Sequence, residues 1–169
     1  MARVIVAPAG SALPIDVDAV VVEDDTHLVL GADPVPRETH EPPDGLLKRA
    51  EATEPKLPGS VVVAGSSPVR FHAIVHDLNL EPSWKEEWVV GAIAAVLKEA
   101  ERRKLRSIAL PMLGTLHGSL EQRRFIDLLA GVLAEIALQD PGDIWLVLPA
   151  EAESAALEAV QELGWELRG

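Results

Sequence analysis

The chain contains no cysteine. Disulfides, thiolate nucleophiles and cysteine-based zinc sites are therefore excluded. Long apolar runs are missing too: the longest, Trp88 to Leu97, is about half of the ~20 residues that span a bilayer. The first apolar stretch is too short for a signal peptide and has no convincing cleavage region, so a cytoplasmic protein without a membrane partner is expected. Basic residues are scarce, with 15 Lys and Arg against 27 Asp and Glu, a formal charge of −12. That balance repels the backbone of nucleic acid, and no nucleic-acid partner is expected. A small anion is not excluded, because a few backbone N–H groups act locally against the global field. Asn79 is the only asparagine and glutamine occurs three times; with 13 prolines, this leans towards a thermophilic source.

What is present suits an α/β protein. The 169 residues, 48% of them hydrophobic, fit one domain, 1–169, that buries roughly 70% of its unfolded surface. Short apolar or β-branched runs mark strands at Val4 to Ala7, Asp18 to Val22, Ser60 to Ala64, His72 to His76, Ser107 to Leu110 and Ile144 to Leu148. Ser83 with Glu86 forms a capping box, followed by Val89, Ile93, Val96 or Leu97, and Ala100 at helical spacing. Ser119 with Gln122 forms a second, ahead of Phe125, Leu129, Val132 and Ile136. A last helix, about Ala150 to Leu163, stops at Gly164, a natural left-handed cap, before an edge strand at Trp165 to Leu167. Residues 23–58 are polar and proline-rich, with one short helical piece at Gly45 to Ala52; 31–58 read as surface loop or lid. Helices between apolar strands imply right-handed crossovers and a largely parallel sheet, whose ligands bind beyond the strands' carboxyl ends.

Three segments at those ends could carry chemistry. In Leu110-Pro-Met-Leu-Gly-Thr-Leu-His-Gly-Ser-Leu120 a buried strand ends, two glycines bracket a turn, and a helix begins. Close backbone approach and free helix N–H groups suit a phosphate or carboxylate. The alternative is a tight turn that binds nothing. In Glu23-Asp-Asp-Thr-His27, Asp25 and His27 share a face if extended, and could ligate a metal or activate a water. The plainer reading is a solvated acidic loop. His76, followed by Asp77, orients a loop, serves as an acid, or is a hydrogen-bonded structural residue. Trp84 and Trp88 lie one turn apart and read as packing, with a partner interface or self-association as the alternative. His40 and His72 carry no pattern.

Several segments resemble the macro domain family, the ADP-ribose-binding module. Gly59-Ser-Val-Val-Val-Ala-Gly-Ser-Ser-Pro-Val-Arg-Phe-His-Ala-Ile-Val-His76 is similar to that family's glycine, strand, loop, strand, histidine stretch. Ser107-Ile-Ala-Leu-Pro-Met-Leu-Gly-Thr115 resembles its strand leading to the phosphate loop, and Asp16-Val-Asp-Ala-Val-Val21 the strand before its ligand-binding loop. The resemblance implies a three-layer α/β/α sandwich with a mixed, mostly parallel sheet. It also implies a phosphate-bearing small-molecule partner, ADP-ribose or a related nucleotide metabolite, and no cofactor or metal. Gly114, Thr115, Leu116, His117 and Gly118 would cradle phosphate, with Ser66 and His27 as further binding residues. A hydrolytic version would use Asp24 or Asp25 as general base. A third version keeps the fold, loses the pocket, and serves as an interaction or oligomerisation module. The departures fall on functional positions. Gly10-Ser-Ala stands where the family reads adenine, and Glu23-Asp-Asp-Thr-His replaces an asparagine-rich stretch. The phosphate loop is about one residue short, and Leu148-Pro-Ala replaces a stacking aromatic. Glu23, Asp24 and Asp25 would repel a diphosphate unless a cation or an altered pose intervened.

Overall fold

Along β1 (Arg3–Ala7), Val4 and Val6 join one apolar cluster while Ile5 and Ala7 join another. That period-two split, with both sides buried, is the signature of a central parallel strand. The same alternation divides β6 (Asp143–Val147), where Ile144 and Leu146 share the first cluster and Trp145 the second. The computed structural model describes residues 3–8, 17–30, 55–65, 68–115, 117–136, 141–149 and 151–167. Among them the remaining strands are β2 (Ala19–Asp25), β3 (Val61–Ala64), β4 (Val69–His76), β5 (Ser107–Pro111) and β7 (Glu166–Leu167).

All seven belong to one sheet in the order β3-β4-β2-β5-β6-β1-β7. Every neighbouring pair is parallel except β3 and β4, so the sheet is mixed and mostly parallel, as expected. Helix α1 (Glu86–Arg102) links β4 to β5, α2 (Gln122–Glu135) links β5 to β6, and α3 (Ser154–Leu163) links β6 to β7. Val89, Ile93, Val96, Leu97 and Ala100 of α1 bury the predicted stripe against Phe71, Ala73 and Val75 of β4 and their neighbours. Gly59 and Gly91 let the chain before β3 touch α1, since a Cβ on Gly91 would lie 3.0 Å from the Gly59 carbonyl oxygen.

Most predicted elements are found, with three corrections. β4 starts at Val69, three residues earlier than its apolar run, because pairing with β2 continues through Val69 and Arg70. Neither predicted capping box forms. The helix N-caps are Lys85 and Glu121, without side-chain cap bonds, because the Ser83 and Ser119 hydroxyls bond to His76 and Trp84. Gln122 turns instead to the Glu151 carbonyl and the Glu153 amide. The last helix starts at Ser154 and ends at Gly164 in the left-handed region, φ 71°, as its sequence predicts. β7 completes the edge beside β1. The helical piece at 45–52 and most of the proposed lid lie outside the described residues.

The end of α1 yields a pH prediction. Hydrogen bonds from Arg102, then Arg103, hold the Glu99 carboxyl down to about 2 from the ordinary 4.5. A carboxylate favoured in the folded state stabilises fully above pH 4.5 and loses that contribution as pH falls through about 2. Glu99 is half-buried but both arginines are exposed, so solvent screens the pairs and Glu99→Gln should cost under about 1 kcal/mol at neutral pH in urea titrations. The difference from wild type should vanish near pH 2.

Candidate functional site

Strand β2 runs three residues further than its apolar run, so Glu23, Asp24 and Asp25 are strand residues. They are not solvated: Glu23 is 5% exposed, and Asp24 and Asp25 are fully buried. Buried carboxylates must find donors, because desolvation of an unpaired charge costs several kcal/mol. Each of the three has done so.

Glu23 reaches the turn after β5. Its Oε1 accepts the Gly114 N–H at 2.8 Å, and its Oε2 accepts the His117 N–H at 3.1 Å. Oε2 also lies 2.6 Å from Nε2 of the fully buried His76. Two of the amides expected to face an anionic guest are thus taken by the protein's own carboxylate. Three neighbouring donors are spent as well: the Thr115 N–H and hydroxyl both bond to the Met112 carbonyl, and the Leu120 N–H bonds to the Gly114 carbonyl. Gly114 adopts φ 83°, which only glycine tolerates cheaply. Gly118 is wedged between chain segments: an added Cβ would meet the Gly114 carbonyl oxygen at 2.5 Å and the Trp84 ring at 2.9 Å. Trp84 is therefore a packing residue over this turn, anchored by its indole N–H to the Ser119 hydroxyl. Trp88, one turn on, carries the Lys85 ammonium 5.2 Å above its ring.

Asp25 does the same for the turn after β2. Its Oδ1 accepts the amides of Val29 and Leu30 at 2.6 and 2.8 Å, and its Oδ2 accepts that of His27 at 3.1 Å. The chain turns immediately, with the Leu28 N–H on the Asp25 carbonyl and Leu28 at φ 59°. Asp25 and His27 consequently do not share a face of extended chain. Asp24, one residue earlier, accepts the Asp25 N–H at 2.8 Å and pairs with Nδ1 of His72 at 2.8 Å. Among the described residues no group of three or more His, Asp or Glu side chains is arranged to hold a metal ion.

The structure therefore brings Gly114, Thr115, His117 and Gly118 together with Glu23, His76 and Trp84. Asp24, Asp25 and His27 belong to the adjoining turn. Ser66 and Leu116 lie outside the described residues. Sequence reasoning missed the partners His72, Ser83 and Ser119. For His72 the signal was available only as strand register: Val22 pairs with it, which sets it diagonal to Asp24.

Neither a protein-family model nor a curated protein sequence matches the chain. Solved structures do. A substituted form of the Oceanobacillus iheyensis macrodomain with ADPR superimposes with a TM-score of 0.64 at 18% identity, over 93% of this chain and 91% of that one. The macrodomain of Thermus aquaticus DarG gives 0.59 at 21%, over 88% and 99%. The macro domain of ganglioside induced differentiation associated protein 2 gives 0.62 at 12%, over 95% and 82%. This chain has the macrodomain fold.

Two substitutions test the described geometry. Gly118→Ala should destabilise by more than about 1 kcal/mol, since a backbone carbonyl cannot move aside as a side chain can. Asp25→Ala should cost about 3 kcal/mol, because three amides lose a charged acceptor. Chemical denaturation of both variants against wild type checks this; an unchanged midpoint for Asp25→Ala would contradict the structural role.

Proposed function

We propose that this chain is a protein-contact module built on the macrodomain fold, in which its own carboxylates fill the turns that would otherwise receive phosphate. The observation that carries this reading is the Glu23 carboxylate on the Gly114 and His117 amides. A ligand diphosphate would have to displace it, and would do so beside the buried Asp24 and Asp25. Like charges at such short range in a poorly solvated site cost several kcal/mol. The surface at this end supports contact with protein. Among the described residues, four of the six exposed large apolar side chains, Val29, Leu57, Leu78 and Leu80, sit on connections at the carboxyl edge of the sheet. The general-base reading of Asp24 and Asp25 ranks lower, since both carboxylates already serve as acceptors within the fold.

A second reading is binding of ADP-ribose or a related nucleotide, with its phosphate replacing Glu23. It is favoured by the convergence of two amides on one anion, and by the ADPR in the O. iheyensis relative. Thermal shift and calorimetry with ADP-ribose, AMP and inorganic phosphate separate the two. We expect no stabilisation of wild type, and stabilisation of Glu23→Ala, whose vacated amides accept the ligand. A bound ligand at 100 times its dissociation constant adds about 2.7 kcal/mol. A gain of that size in wild type would overturn the first reading and establish the second.

A further inference from the structure

The Glu23–His76 pair extends to a third residue. His76 presents Nε2 to Glu23 at 2.6 Å and Nδ1 to the Ser83 hydroxyl at 3.2 Å. A carboxylate accepts but cannot donate, so the Nε2 proton points to Glu23 and the Nδ1 lone pair faces Ser83. We propose that Ser83, His76 and Glu23 form a nucleophile, a base and a positioning residue, and that Ser83 attacks small neutral acyl or phosphonyl esters. This activity goes beyond the contact function and does not depend on it.

The placement favours the assignment. Ser83 stands where its hydroxyl would cap α1, yet the helix starts at Glu86 and the hydroxyl is aligned on the imidazole. It is partly exposed, whereas His76 is fully buried and Glu23 nearly so, an order of burial that leaves only the nucleophile open to a substrate. Glu23 is itself fixed by the Gly114 and His117 amides, which hold the imidazole in one tautomer. Relative to the usual triad the ring nitrogens are exchanged, but either one serves as base once the other carries the proton. The acidic surroundings disfavour anionic substrates, and Leu78 and Leu80, exposed on the connection that carries Ser83, favour apolar ones.

With a fluorophosphonate, the Ser83 oxygen bonds to phosphorus, the P–F bond breaks, fluoride leaves with its electron pair, and the hydroxyl proton passes to His76. The intact chain should become phosphonylated at Ser83, located by peptide mass spectrometry. Ser83→Ala should abolish labelling. Glu23→Gln should slow the maximal labelling rate by at least about tenfold, without changing the probe concentration for half-saturation. His76→Gln should suppress labelling while thermal melting shows a folded protein; if that variant does not fold, Glu23→Gln decides. Absence of label on Ser83 in folded wild type, or an unchanged rate in Glu23→Gln, overturns the proposal.

Discussion

One buried carboxylate ties the carboxyl end of the sheet together. Glu23 projects from β2 into a nearly buried space, where an unpaired charge would be strongly unfavourable. Two backbone amides and an imidazole meet it there. Charge-assisted hydrogen bonds of this kind are roughly twice as strong as neutral ones, and they act here between elements far apart in sequence. The turn after β5 keeps its shape because Glu23 is present, and His76 keeps its orientation for the same reason. Through His76 the constraint extends to Ser83, and through the packed turn to Trp84.

Asp25 repeats the arrangement on a smaller scale. A turn of backbone closes around a carboxylate from its own first residue, and three amides are consumed. The two neighbouring turns thus share one physical solution: an anion held by main-chain N–H groups, supplied from within. Such turns are suited to a phosphate in principle, since the donors do not distinguish a carboxylate oxygen from a phosphate oxygen by identity. The acidic character of the end then follows from the residues chosen to fill it. On the proposed contact reading, neutral or apolar partners are favoured over anions, in keeping with the exposed Val29, Leu57, Leu78 and Leu80.

Much of the fold was legible in the chain. Apolar runs such as Val4 to Ala7 and Ile144 to Leu148 could only be strands buried on two sides, and the stripe from Val89 to Ala100 could only be a helix face. Gly164 marked its cap correctly because positive φ is a local demand. The two serine caps failed for the opposite reason. Ser83 and Ser119 sit at positions where a helix would accept them, but His76 and Trp84 lie closer in space. Charge was misread in the same way. Glu23, Asp24 and Asp25 look like a solvated run, because nothing in their order discloses that β4 and the turn after β5 will enclose them.

The sequence alone therefore determined the alternation of strands and helices, the parallel sheet, and the turn after β5 as a place where amides converge. These depend on periodicity and on glycine, which act over a few residues. Only the tertiary structure decided what those amides hold and which side chains stand beside it. Glu23 and Gly114 are separated by 91 residues, and their meeting depends on β2 lying between β4 and β5. That order is a property of the folded sheet, set by packing of all its strands together, and no local pattern encodes it.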